Sequence, residues 1–119
     1  MRPASFPPAA RLRQPSEFNQ VFRDGLRSSD ACFVVSACGN GLEGARLGIT
    51  VAKKTVSSAA KRNRIKRVVR ESFRQNRSGL PAVDVVVQAR HGARQHDNPG
   101  LRASLDRHWQ ELIKRCERS

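Results

Sequence analysis

One long segment with a two-sided pattern most constrains how this chain can fold. A helix is predicted from Ser57 or Ser58 to about Asn76, because serine can cap its start and the Gly-Leu-Pro sequence at 79–81 ends it. At about 100° per residue, one stripe of this helix is apolar and holds Ile65, Val68, Val69, Ser72 and Phe73. The opposite stripe is polar and holds Asn63, Lys66, Arg67, Arg70, Arg74 and Arg77. The helix should therefore dock on a core through one face and present a row of cations on the other.

The segments before this helix predict one further helix and a β-hairpin. A short helix should begin at Pro15, with Ser16 as its cap and Gly25 as its stop. Two strands are then expected, Cys32–Cys38 and Ala45–Ala52, joined as a hairpin by the glycine-rich sequence GNGLEG. An extra strand at 26–28 would make the sheet four-stranded instead of three-stranded.

The segments after the long helix complete a small α+β domain. The β-branched run Val83–Arg90 reads as a buried strand, and 91–99 reads as a polar loop. A last amphipathic helix carries an apolar side made of Leu101, Leu105, Trp109, Leu112, Ile113 and Cys116. The predicted order is helix, β-hairpin, helix, strand, helix, in one domain over 11–119. Residues 1–10 hold three prolines and are predicted to be a disordered tail.

The charge of the chain points to a polyanionic partner. Its 23 lysine and arginine residues exceed the 10 acids and give a formal net charge of +13. Between Lys61 and Arg77 there are eight cations and one acid, Glu71, so pairing along the helix cannot neutralise the row. The excess of arginine favours RNA, since its planar fork pairs with phosphate and stacks on bases, although a genome rich in G and C would also enrich arginine codons. Six to eight phosphate contacts would make log affinity fall with log salt at a slope of roughly −4 to −7.

Other broad classes fit the sequence poorly. No run approaches the ~18 apolar residues that span a bilayer, and the N-terminus has no apolar stretch of signal-peptide length, so a cytoplasmic location without a membrane partner is expected. Cys32, Cys38 and Cys116 form no CxxC pair, which predicts neither a disulfide nor a metal site on the protein. The three histidines and ten acids form no paired cluster for general acid–base chemistry, so no catalytic residue is predicted.

Three stretches of the sequence resemble the protein component of bacterial ribonuclease P. The run AKRNRIKRVVRESFR at 60–74 resembles the RNR signature of that family, and LGITVAKK at 47–54 resembles its strand ending in paired lysines. Upstream, Arg11-Leu12, the sequence EFNQVF at 17–22 and then Gly25 are similar to its opening helix. The resemblance covers about residues 11–116.

This resemblance implies a fold and a function. The fold would be ribosomal protein S5 domain 2-like, with an unusual left-handed βαβ crossover through the RNR helix. The protein would be the accessory subunit of ribonuclease P, which removes the 5′ leader of precursor tRNA. The catalytic RNA and its bound Mg²⁺ would perform the hydrolysis, and the protein itself would bind no cofactor. Its partners would be that RNA and the precursor tRNA 5′ leader, with no role for DNA.

The resemblance also implies two sets of site residues. The residues that meet the catalytic RNA would be Lys53, Lys54, Lys61, Arg62, Asn63, Arg64, Lys66, Arg67, Arg70 and Arg74. The 5′ leader would lie in a cleft between the first helix and the open sheet face, near Arg11, Phe18, Phe22, Ser36, Arg46, Gly48 and Thr50. A single strand needs aromatic platforms and a positive groove, which fits this set, although Phe18 and Phe22 could equally be core residues.

Two alternatives use the same basic helix. A non-catalytic ribosomal-RNA-binding or ribosome assembly protein would differ in partner and not in physics. A helix-turn-helix protein that binds DNA is disfavoured, because no second short helix precedes the basic one at a tight turn. Reconstitution with the catalytic RNA would distinguish all three.

Overall fold

The computed structural model describes residues 11–42 and 44–118. The predicted N-terminal tail, 1–10, lies outside the described residues. The elements in chain order are α1 (Pro15–Asp24), β1 (Leu26–Ser29), β2 (Phe33–Gly39), β3 (Arg46–Thr50), α2 (Ala59–Asn76), β4 (Val83–Ala89) and α3 (Asn98–Arg118). Two short 3₁₀ turns, Arg77–Gly79 and His91–Gln95, precede β4 and α3. The predicted α+β class and element types are confirmed.

The strand pairing differs from the predicted hairpin. The four strands lie in the order β1-β2-β4-β3, so β4 separates the two strands that GNGLEG joins. The hairpin is instead β1 with β2, which pair antiparallel. In β4 the five residues from Val83 to Val87 are all buried, and a strand covered on both faces favours the centre of a sheet. The parallel pairing of β3 with β4 confirms a crossover through α2, whose left-handed sense stays a prediction.

The start of α1 also differs from the prediction. Its N-cap is Gln14 rather than Ser16, and Pro15 takes the first helical position, where a missing N–H costs nothing. Glu17 Oε1 accepts hydrogen bonds from the backbone N–H groups of Gln14, at 3.0 Å, and Arg13, at 3.2 Å. The predicted stop at Gly25 is confirmed, with its N–H donating to the Val21 carbonyl.

Helices cover both faces of the sheet, with α2 and α3 on the main face and α1 on the other. On the main face, α2 buries all five residues of its predicted apolar stripe. Trp109 of α3 is buried against this stripe, donates from Nε1 to Ser72 Oγ at 2.8 Å and meets the Phe73 ring edge-on. On the other face, Val21 of α1 packs with Leu12 and Val86 in a smaller cluster. The long basic helix is therefore fixed to the core from beneath.

A polar cluster ties α3 to the β1–β2 turn. The Asp30 carboxylate accepts hydrogen bonds from the N–H groups of Cys32 and Phe33 and from Ser104 Oγ. His108 Nε2 lies 3.2 Å from the same carboxylate. Burial opposes ionisation of Asp30, but the Ser104 and backbone hydrogen bonds and the neighbouring His108 outweigh it and lower its pKa from 3.8 to about 2.

This lowered pKa predicts a loss of stability in acid. The pKa of Asp30 is lower in the folded than in the unfolded state. The ionised carboxylate therefore stabilises the folded state above about pH 4, and this stabilisation is lost as the pH falls toward 2. The carboxylate is partly exposed, so we expect a loss of only about 1 kcal/mol in the free energy of unfolding. Urea unfolding at pH 5 and pH 3 measures it. The Asp30→Asn variant should lose less than the wild type over this interval, whereas exposed Asp106→Asn should match the wild type; equal losses in all three proteins would contradict the assignment.

Candidate nucleic-acid interface

The outer face of α2 presents the predicted cations to solvent. Lys61, Asn63, Arg67 and Arg70 are exposed, and Lys66 is half-buried. The paired Lys53 and Lys54, between β3 and α2, are exposed as well. Because α2 is held by its buried stripe, the charges on its outer face project from a rigid support.

Two arginines near the start of α2, both in the predicted RNA-binding set, have hydrogen-bond partners within the protein. Arg62 Nη1 donates to the carbonyls of Val56, at 3.0 Å, and Ser57, at 2.8 Å. Arg64 Nη1 donates to the His96 carbonyl at 3.2 Å and to Asn98 Oδ1 at 2.9 Å. These bonds use one nitrogen of each guanidinium, which leaves further N–H donors for a phosphate. Arg62 and Arg64 therefore also have a structural role that the sequence pattern did not predict.

The end of the basic row departs from the predicted stripe. Arg74 forms a salt bridge with Glu71 at 2.9 Å, and its hydrogen bond lowers the pKa of the Glu71 carboxyl. Arg77 does not continue the row, since it lies in the 3₁₀ turn after α2 and donates from Nε to the Ala45 carbonyl at 2.9 Å. The cations of α2 that are exposed to solvent thus lie between Lys61 and Arg70.

A groove lies beside this row, along the outer edge of β3. It runs between α1 and α2 and is lined by Arg11, Leu12, Phe18, Leu47, Gly48, Ile49, Lys66 and Arg70. Arg11 and Leu12 are held there by a short bridge to Leu47 of β3. The structure thus brings together Arg11, Phe18 and Gly48, three of the residues predicted for the leader cleft. It also adds Lys66 and Arg70, so the groove and the basic face of α2 form one continuous surface.

The floor of the groove depends on the absence of a side chain at residue 48. A Cβ atom on Gly48 would lie 2.5 Å from Cζ of Phe18, so the aromatic ring rests directly on the glycine. Phe18 is half-buried and lines the groove with its remaining surface. Phe22 is also half-buried, and both rings pack against the cluster of Val21 and Val86, but Phe22 is not among the residues that line the groove. Phe18 is therefore the better placed of the two rings to contact a ligand in the groove.

The other predicted cleft residues lie differently. Ser36 is only 2% exposed and lies on the face that α1 covers, beside its pairing partner Val86, so its side chain does not line an open cleft. Arg46 is held by Asp84 through two bonds of 2.7 Å and by Glu17 of α1 at 2.9 Å. The hydrogen bonds that Arg46 donates to the Asp84 carboxylate raise the pKa of the Arg46 guanidinium, which stays charged and fixes α1 to the sheet. Thr50, at the end of β3, is exposed.

Comparisons with known proteins identify the family of this chain. The family model for ribonuclease P matches residues 6–113. The chain belongs to the ribonuclease P protein family. A ribonuclease P protein component from Thioalkalivibrio sulfidiphilus is 45% identical over 93% of this chain and 92% of its own length. Another from Nitrosococcus oceani is 42% identical over the full length of both.

Solved structures of ribonuclease P proteins share the fold. The Staphylococcus aureus protein superposes with a TM-score of 0.80 at 33% identity, covering 88% of this chain and 95% of its own. The Thermotoga maritima protein gives a TM-score of 0.77 at 34% identity, covering 86% and 96%. The family suggested by the RNR helix and the paired lysines is thus confirmed. No helix within 11–42 or 44–118 is long and apolar enough to cross a membrane.

Substitution of Gly48 tests the groove of this ribonuclease P protein. Gly48→Ala is expected to displace the Phe18 ring and to destabilise the fold by about 1–2 kcal/mol, because overpacking forces a shift of the ring or of α1. Chemical denaturation measures the change. Gly39→Ala is the matched control, since a Cβ there meets nothing within 4 Å. In the double variant with Phe18→Ala, Gly48→Ala should cost less than in the wild type, because only the Leu12 Cβ, at 3.2 Å, would still be crowded, and an unchanged cost would contradict the role of the ring.

Proposed function

We propose that this chain is the protein subunit of ribonuclease P in the cytoplasm, where it binds the catalytic RNA and the 5′ leader of precursor tRNA. The continuous surface formed by the outer face of α2 and the groove carries this proposal. On one side it offers exposed cations on a rigid helix, which suits the phosphates of a folded RNA. On the other it offers a narrow groove with an aromatic ring and cations at its rims, which suits a single strand.

The two parts of this surface would have different roles. Lys61, Arg67 and Arg70, with Lys53 and Lys54, would neutralise phosphates of the catalytic RNA. The groove would hold the leader, with a base against Phe18 and phosphates near Arg11 and Lys66. Such a strand is read largely by stacking and charge, so the groove would accept leaders of many sequences. Arg46 would act as a positioning residue, because it fixes α1 and with it the ring of Phe18.

The protein would assist a reaction that the RNA carries out. Precursor tRNA and catalytic RNA are both polyanions, so their association is opposed by phosphate repulsion that cations must screen. A protein with a net charge of +13 placed between them reduces that repulsion, and fewer Mg²⁺ ions are then needed for binding. Mg²⁺ held by the RNA would supply the hydrolytic chemistry, and the protein would supply affinity and position.

Reconstitution tests this function directly. The full chain, added to the catalytic RNA at low Mg²⁺, should restore cleavage of precursor tRNA, while the protein alone should leave the substrate intact. Phe18→Ala should weaken binding of precursor tRNA to the assembled holoenzyme by about tenfold, since stacking on an aromatic ring contributes ~1–3 kcal/mol per base. Binding of mature tRNA, which has no leader, serves as the control and should not change. Cleavage of RNA by the protein alone, or binding confined to ribosomal RNA, would overturn the proposal.

A further inference from the structure

A second group of cations lies at the edge of the sheet where β3 and β4 end. These strands are parallel and Thr50 pairs with Gln88, so the segments that follow them leave from the same edge. After β3 come Lys53 and Lys54, and after β4 comes the segment 90–94, with the sequence RHGAR. The helix α2 begins at the same edge, with Ser58 as its N-cap. Neither the sequence pattern nor the family resemblance assigned a role to 90–94.

This segment is held firmly between the β1–β2 turn and α2. The Arg90 N–H donates to the Cys32 carbonyl at 2.8 Å, and Ala93 is fully buried. Gly92 lies against the turn, since a Cβ there would come within 2.3 Å of the Ala31 carbonyl oxygen. On the other side, Arg64 of α2 donates to the His96 carbonyl. The segment is thus ordered before any ligand binds, which lowers the entropic cost of binding.

The charges at this edge are poorly balanced within the protein. Arg90, His91 and Arg94 are exposed, and the first turn of α2 contains no acid. A helix N-terminus carries partial positive charge and favours acidic residues, yet Lys61 follows the N-cap closely here. Of the nearby acids, Asp30 faces Ser104 and His108 of α3, and Asp97 accepts from the Gly100 N–H at the start of α3. Neither carboxylate pairs with Arg94, so an external anion would relieve the repulsion.

We propose that 90–94 is a further phosphate-binding segment that, with Lys53 and Lys54, contacts the folded catalytic RNA. The inference rests on the proposed function and extends its interface from α2 to the β4–α3 connection. A folded RNA fits better than the leader, because the segment lies at the first turns of α2, whereas the groove is lined by later residues of that helix, Lys66 and Arg70. Arg94 and Arg90 would each bind a backbone phosphate, and His91 would add a hydrogen-bond donor.

A charge reversal at Arg94 tests the inference. This side chain is exposed and forms no hydrogen bond or ion pair with any residue that the structure describes, so Arg94→Glu should leave the fold intact. We expect it to weaken assembly with the catalytic RNA by about tenfold, while Arg94→Ala should lower the salt slope by about 1. The matched control is Lys114→Glu, which changes the net charge by the same amount. Lys114 lies 16 residues after Asn98, the first residue of α3, and is therefore about 24 Å along the helix from the end of α3 that follows the segment 90–94.

The outcomes separate this inference from the proposed function. A loss for Arg94→Glu and little change for Lys114→Glu would support it. Equal losses in both would overturn it, because only net charge would then matter. No loss for Arg94→Glu, with a clear loss for Lys53→Glu together with Lys54→Glu, would also overturn it and leave the proposed function standing. No loss in any of these variants would overturn the inference and would also remove Lys53 and Lys54 from the proposed contact surface, which would then be confined to α2 and the groove.

Discussion

Replacing Lys61, Arg67 and Arg70 together by alanine should weaken binding of the catalytic RNA by on the order of a hundredfold at physiological salt. All three side chains are exposed on the outer face of α2. A solvent-exposed phosphate contact contributes about 1 kcal/mol, so three such contacts amount to about 3 kcal/mol, or roughly two powers of ten in the dissociation constant. Because three fewer counterions are released, the slope of log affinity against log salt should also fall by about 2–3. Filter binding or fluorescence titration across a range of salt concentrations measures both quantities.

A matched triple variant controls for net charge. Arg27 of β1 and Arg107 and Lys114 of α3 are exposed, and their replacement by alanine removes the same number of charges from surfaces away from the outer face of α2. That variant should lose at most a fewfold in affinity, through weaker long-range attraction alone. Circular dichroism should show both triple variants folded, since none of these side chains is part of the core. Equal losses in the two variants would mean that the outer face of α2 is not the contact surface.

The long helix could be predicted because its signals are local. Its apolar stripe follows the helical period, and all five residues of that stripe are buried as the period requires. Its boundaries were predicted within a residue or two, since a serine cap and a glycine-proline stop are readable in sequence. The apolar side of α3 was predicted for the same reason, with Trp109 at its centre. An amphipathic helix largely determines its own buried face once any core is present to receive it.

The strand order could not be predicted from local signals. GNGLEG is suited to a tight connection, but pairing is decided by which strand can be buried on both faces, and that strand is β4, some forty residues later in the chain. The partners of the site arginines are equally remote in sequence. Arg46 bonds Asp84, and Arg64 bonds the His96 carbonyl, across 38 and 32 residues respectively. The pattern identified the cations at the site but did not show which of them the fold already uses.

The buried face of α2 is where we expect the largest loss of stability. Trp109→Ala should lower the free energy of unfolding by about 3–5 kcal/mol, because it removes a large side chain that is 1% exposed and leaves a cavity beneath Phe73. Since domains of this size are stable by only ~5–15 kcal/mol, a large part of the margin would be lost. Urea unfolding followed by circular dichroism measures the change. Binding of the catalytic RNA should raise the midpoint of the variant, because only the folded chain presents the α2 face.

The hydrogen bond from Trp109 to Ser72 can be separated from the packing of the ring. Trp109→Phe keeps an aromatic side chain but leaves Ser72 Oγ without its buried donor, which should cost about 1–3 kcal/mol in addition to the smaller ring. If the bond holds α2 on α3, adding Ser72→Ala to Trp109→Phe should cost less than Ser72→Ala costs in the wild type. Additive losses would show that the two side chains act independently. The attachment of α2 to the core would then depend on apolar packing alone.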